Sequence, residues 1–196
     1  MKMLLIRHGA TAGNLERRYI GRTDQPLCPQ GRDQALALAA TGVFAPVDCL
    51  YSSPYCRCRE TAALLFADLV PLIIPELREF DFGDFEGYTA SELQGCPAYQ
   101  SWVDSFCNEP CPGGESNEQF KERCCLAFAR LAQETKEQQV VALVIHGGAI
   151  MAIMEKYAYP PKDFYAYHVA NCGYFICDLA FVDQKPRLQI IGGSLC

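Results

Sequence analysis

Two short stretches carry most of the residues able to do chemistry. Residues 4–14 read LLIRHGATAGN and residues 143–149 read LVIHGGA. The chain has three histidines, and two of them, His8 and His146, each follow an apolar run and precede glycine. Arg7 adjoins the first, and Asn14 lies six residues beyond it. SSPYCRCRETA sets Arg57 just after another apolar run, and LREFDFGDFEG, residues 77–87, gathers Glu79, Asp81, Asp84 and Glu86 in a glycine-containing loop. The planar fork of arginine suits phosphate or carboxylate oxygens. Two imidazoles, two guanidiniums and a carboxyl group therefore outline a phosphoryl-transfer site. A neutral imidazole is a competent nucleophile only when its tautomer is fixed through its other nitrogen, and a backbone carbonyl just after His8 is the expected anchor. The transferring phosphoryl group is loose and anionic, so catalysis is mostly positioning and charge stabilisation. Two arginines and a second imidazole, cationic in the transition state, can supply that charge.

The elements that must hold these groups are legible from pattern. Met3–Ile6, 47–51, 70–74 and 140–145 read as strands. Helices are expected from Gly31, with Ala35, Leu36, Leu38 and Ala39 as inner face; over 57–66; from an N-cap at Ser116 to about Gln138; and after His146 to about Tyr157. Residues 172–181 and 188–191 read as two late strands. Strands apolar on both faces and separated by helices imply an α/β fold with a mostly parallel central sheet covered on two sides. Residues 89–114, rich in Cys, Pro and Gly, read as a helical excursion, extending to about 138 with the following helix. The 196 residues read as one domain. In such folds ligands bind beyond the carboxyl ends of the strands. Both His–Gly units fall there, each glycine letting the chain turn and a ligand approach the backbone, and the helices that follow offer amides to an anion.

Composition narrows the field. A net charge of −6 argues against nucleic acid or an anionic membrane as partner. Residues 1–60 hold eight Lys/Arg and five Asp/Glu, a balance of +3, which leaves −9 on the rest. A basic first third suits a local anion site. Twelve irregularly spaced cysteines without a C-x-x-C pair read as reduced thiols rather than a zinc or disulfide framework. No apolar run is long enough to span a bilayer, and Arg7 comes too early for a secretory leader. A cytoplasmic protein is the expectation. The oligomeric state is not legible.

LLIRHGATAGN, GRTDQPLCPQGRDQA, SSPYCRCRETA, LREFDFGDFEG and VIHGGAI, in that order, resemble the successive motifs of the histidine phosphatase superfamily, the phosphoglycerate mutase-like proteins. The resemblance implies that His8 becomes phosphohistidine, that Arg7, Arg57 and His146 hold the phosphoryl oxygens with help from Asn14, and that Glu79 is the proton donor. It implies no metal and no cofactor. Thr23 is expected to line the pocket, and Gly147 to admit a ligand to the backbone. Gly21 and Asp24 are expected to shape a turn, Glu86 to brace a loop, Arg59 to lie at the surface, and His168 to pack or hydrogen-bond. The same chemistry serves a phosphatase or a mutase; the chain ends soon after its last strand with no tail to cover the site, which favours hydrolysis. Within the superfamily the chain is most similar to the alpha-ribazole phosphatase group and to broad-specificity small-molecule phosphatases, so the expected partner is a small phosphorylated metabolite. Phosphoglycerate mutation and non-catalytic phosphate binding are the alternatives.

Overall fold

The computed structural model describes residues 1–44 and 46–194. The first strand, β1 (Lys2–Arg7), runs into a single helical turn, α1 (Ala12–Leu15). Then follow α2 (Pro29–Ala40), β2 (Cys49–Ser52), α3 (Cys56–Leu65) and β3 (Leu72–Ile73). After a looped segment come α4 (Pro97–Asp104), α5 (Asn117–Glu134), β4 (Val140–Ile145) and α6 (Gly147–Tyr157). The chain closes with β5 (Ala158–Tyr159), β6 (Tyr174–Val182) and β7 (Lys185–Gly193).

Seven strands form one sheet in the order β3-β2-β4-β1-β6-β7-β5. The half from β3 to β1 is parallel throughout, and β6 runs antiparallel to both β1 and β7. The fold is thus the α/β, mostly parallel class that the pattern implies. Period-2 alternation explains why both faces are covered. Met3 and Leu5 of β1, with Val141, Leu143 and Ile145 of β4, pack on one side beneath α5 and α6. Leu4, Ile6, Ala142 and Val144 pack on the other, against Leu50 and against Cys58 and Ala62 of α3. The β1–β4 register pairs Arg7 with Ile145. That single alignment brings His8 and His146, the next residue on each strand, to one sheet edge.

Several expectations change in detail. The strand foreseen at 70–74 shrinks to Leu72–Ile73, with Val70 90% exposed; it is a sheet edge, where short strands limit unwanted pairing. The inner face expected for α2 fails at Leu36, which is 52% exposed; Gly31 and Ala35, four residues apart, are what α2 buries. Gly31 allows this close seat, because a Cβ there would run into the carbonyl of Ala10. Helix α5 ends at Glu134 rather than Gln138, and its capping box of Ser116 and Gln119 is formed as expected. It packs on α6 as part of the layer covering the sheet, so the excursion beside the sheet is confined to the segment around α4. The last two strands form a hairpin, longer than expected for β7, around Asp183 and Gln184, both with positive φ. This is the backbone sign a two-residue primed turn requires, without the usual Asn-Gly signal. All eleven described cysteines are free thiols, and no described helix is long and apolar enough to cross a membrane.

Candidate active site

The two histidine devices turn out to be unequal. His146 is the N-cap residue of the eleven-residue α6, whereas His8 leads into a loop closed by the four-residue α1. Their rings nevertheless meet edge to face, 5.1 Å between centroids. Both are buried, His8 to 4% exposure and His146 to 0%.

The expected carbonyl anchor of His8 is present: Nδ1 lies 2.7 Å from the carbonyl oxygen of Gly9. Nδ1–H donates to it, so Nε2 carries the lone pair. Burial and the charges of Arg57 and Arg7 hold the His8 pKa well below the ordinary imidazole value, against the opposing pull of that carbonyl. The ring is neutral at pH 7, which is the nucleophilic form. The loop behind it is pinned by Thr61, whose Oγ1 accepts from Gly9 N–H at 3.0 Å and donates to the Arg57 carbonyl at 2.7 Å.

Arg57, 1% exposed at the start of α3, is the largest fully buried side chain. It donates from Nη1 to the Thr23 carbonyl and from Nη2 to the Gly21 carbonyl, each at 2.8 Å, and makes a long 3.4 Å contact from Nε to His146 Nδ1. Three of its five N–H groups are thereby engaged, leaving two for an anion. Arg7 donates to the Val169 carbonyl at 2.7 Å.

In the free site, burial, Arg57 and His8 hold the pKa of His146 well below the ordinary value. Because Nδ1 accepts from Arg57, the neutral ring carries its proton on Nε2 and donates it to Ser53 Oγ at 2.6 Å. The fixed positive charge beside His8 comes from the arginines.

Glu79 sits on the loop after β3. Its Oε2 accepts from Gly148 N–H at 3.1 Å, in the first turn of α6, and its Oε1 from Phe80 N–H at 3.0 Å. Gly148 permits that approach, since a Cβ there would collide with the carboxylate. Arg123 of α5 holds this loop from behind: it donates to the carbonyls of Glu76, Arg78 and Glu79 at 2.7, 2.8 and 2.9 Å, and forks onto Glu115 at 2.9 and 2.5 Å. Glu115 in turn accepts from Asp81 N–H at 2.8 Å.

Asn14 belongs to the α1 capping box, its Oδ1 accepting from Thr11 N–H and from Asn171 Nδ2. The side chain of Thr23, expected in the pocket, is turned to Glu86 at 2.7 Å; only its carbonyl serves the site, through Arg57. Glu86 braces that loop as expected, also accepting from the N–H groups of Gly21 and Arg22. Asp24 accepts from Cys56 N–H, and Arg59 is exposed. Ser53, Thr61, Asn171, Arg123 and Gly148 escaped the sequence reading. For Thr61 a signal existed, one helical turn after Arg57; the others have none in spacing.

Arg7, Glu79, Gly147 and Gly148 form one end of a cavity of about 530 Å³, with Phe80, Phe82, Trp102, Phe164, Tyr165 and His168 among its other lining groups. His168, expected to pack or hydrogen-bond, is an exposed residue of that wall. His8, Arg57 and His146 are not among the cavity's lining residues; His8 and His146 adjoin the lining residues Arg7 and Gly147 in the chain, and Arg57 contacts His146. The arrangement can present a neutral imidazole to a phosphoryl group, surround it with two guanidiniums, and offer a carboxyl group at the same end.

The chain is similar to known proteins. Residues 3–191 match the model of the histidine phosphatase superfamily (branch 1). The chain is 31% identical to the adenosylcobalamin/alpha-ribazole phosphatase of Escherichia coli, over 80% of this chain and 78% of that protein. It is 32% identical to phosphoglycerate mutase-like protein 4 of Arabidopsis thaliana, over 79% and 70%. The crystal structure of the alpha-ribazole phosphatase from Shigella flexneri superposes with a TM-score of 0.84 at 27% identity, covering 97% of this chain and 95% of that one. The chain belongs to the histidine phosphatase superfamily.

Proposed function

We propose that this protein hydrolyses small phosphomonoesters through a phosphohistidine formed on Nε2 of His8, without a metal ion. The observation that carries the reading is the 2.7 Å bond from His8 Nδ1 to the Gly9 carbonyl, set beside two guanidiniums in a buried site. That bond leaves a lone pair on Nε2, and burial keeps it unprotonated. Nε2 attacks phosphorus as the ester oxygen departs; Glu79 gives that oxygen a proton. Water, deprotonated by the same carboxylate, then takes the phosphoryl group back and restores the imidazole. Arg7 and the two remaining Arg57 N–H groups neutralise the equatorial oxygens. The phosphoryl anion raises the affinity of His146 for a proton, and the protonated ring can turn its Nδ1–H from the long Arg57 contact to a phosphoryl oxygen.

Alpha-ribazole 5'-phosphate is the candidate substrate that the similarity to proteins named as alpha-ribazole phosphatases favours. A second reading, interconversion of phosphoglycerates, is supported by the mutase-like relative. Retention of His8, Glu79 and both arginines in one cluster speaks against a merely phosphate-binding protein. The test is phosphate release from a panel of esters, with EDTA added, in wild type and His8→Ala. The reading expects release that EDTA does not diminish and that His8→Ala abolishes. Phosphoglycerate interconversion far faster than phosphate release selects the mutase reading instead.

A further inference from the structure

We propose that Gln34, on α2, is a positioning residue for the nucleophile: it fixes the Gly9–Ala10 peptide, whose carbonyl holds the His8 ring. This deepens the phosphohistidine reading and rests on it.

The helix poses the question. α2 is twelve residues long, yet it buries only Gly31 and Ala35. Burying one glycine and one alanine removes little apolar surface from water. What these small residues do is bring the helix against the turn that follows His8. A Cβ at Gly31 would run into the Ala10 backbone, and one at Gly9 would run into the Gly31 carbonyl. Backbone thus lies on backbone, within reach of the side chains of α2.

Gln34 uses that reach. Half-buried, it accepts from Ala10 N–H at 3.0 Å through Oε1. Every hydrogen-bonding group of the turn is then engaged. Gly9 N–H donates to Thr61, the Gly9 carbonyl accepts from His8 Nδ1, and the Ala10 carbonyl accepts from Cys28 N–H at 3.0 Å.

Peptide geometry couples two of these bonds. The Gly9 carbonyl and the Ala10 N–H belong to one planar trans unit and point in opposite directions. An acceptor at the N–H end therefore aims the carbonyl at the other end, where the His8 ring is. Thr61 and Cys28 grip the peptides before and after, so neither sets this plane. Without Gln34 the plane is held by His8 alone, the group it is meant to hold. The bond also acts on the electrons. An amide whose N–H donates becomes a stronger acceptor at its carbonyl. That carbonyl then draws harder on Nδ1–H and leaves Nε2 richer in electron density. It does so in a ring whose basicity burial and two arginines suppress. Gln34 acts through the peptide, not on the reacting atoms.

The experiment combines ¹⁵N NMR of the imidazoles in the free enzyme with rapid-quench rates of phosphohistidine formation from saturating 4-nitrophenyl phosphate. The variants are Gln34→Met, which fills the space without an oxygen; Gln34→Ala, which removes the acceptor at no cost in helix propensity; and Gln34→Glu, which keeps it. Wild type should hold its His8 proton on Nδ1. Met and Ala should each show a second population protonated on Nε2, and phosphohistidine formation should slow by about tenfold or more. Gln34→Glu should restore both. Ring resonances unchanged from wild type overturn the inference even if the rate falls, because a fall alone marks a residue that serves only the fold. A rate that holds while the resonances shift overturns it too, as does a Gln34→Glu that loses as much as Gln34→Met. A wild-type His8 protonated on Nε2, or no phosphohistidine in wild type, removes the phosphohistidine reading itself.

Discussion

The buried end of the site and the cavity beside it are built by different means. At the buried end, adjacent parallel strands deliver His8 and His146 in register, and every polar group named there has a backbone or side-chain partner that fixes it. The cavity beside it is walled by loops, α4, a 3-10 turn and the facing residues of α5 and α6, with many aromatic rings in its lining and with Tyr165 71% exposed. Regular structure fixes the reacting atoms to within tenths of an ångström, which the chemistry demands. Irregular structure sets what else can enter, and can vary without disturbing the reaction. Glu79 stands between the two: it sits on a loop, yet α6 and Arg123 hold that loop.

If this division is real, damage should scale with nearness to the buried end. His8→Ala should lower kcat by on the order of 10⁴ or more, as loss of a nucleophile does; residual turnover within tenfold of wild type would end the division at its base. Arg57→Ala removes one charged contact and should cost about 2.7–4 kcal/mol of barrier, roughly 10²–10³ in kcat. It also orphans the carbonyls of Gly21 and Thr23, so a loss of about 1–3 kcal/mol of stability should accompany it in urea titrations.

Changes at Glu79's supports sharpen the boundary. Gly148→Ala drives a methyl group into the carboxylate, and Arg123→Leu frees the loop that carries it. Both should lower turnover of alkyl phosphates by about tenfold or more, and of 4-nitrophenyl phosphate far less, because that leaving group needs little protonation. Equal losses on both substrates would mean that Arg123 merely stabilises the fold. A separate effect is on stability against pH. His8 and His146 are buried neutral with lowered pKa values. Below about pH 6.5 the unfolded chain binds protons that the folded one refuses, so stability should fall with pH by up to about 2.7 kcal/mol per unit for the two rings. Chemical denaturation between pH 7 and pH 5 should show this slope, and the double variant His8→Gln, His146→Gln should flatten it.

How far the sequence could be read follows the same division. Arg7, His8, Arg57 and His146 were legible because each stands at a strand or helix terminus, and a strand end is set by local pattern; Glu79, on a loop, was singled out only by the family resemblance. The anchoring carbonyl of Gly9 was legible for the same reason, being the next residue. Ser53 and Asn171 were not, since they meet His146 and His8 across 93 and 163 residues, nor was Arg123, whose loop carbonyls lie 44 or more residues away, and no periodicity encodes such pairings. The neutrality of His146 in the free site depends on burial beside Arg57, which sequence position does not encode. The cavity appeared in the sequence only as scattered aromatic residues around 80–85 and 164–167.

The central claim is tested most directly by trapping the enzyme with a fast-reacting aryl phosphate, quenching in alkali within milliseconds, and locating the phosphoryl group by mass spectrometry and ³¹P NMR. A phosphoryl group on Nε2 of His8 is the predicted result. Steady turnover with no phosphohistidine, or with the label on Nδ1, on His146 or on another residue, would contradict it.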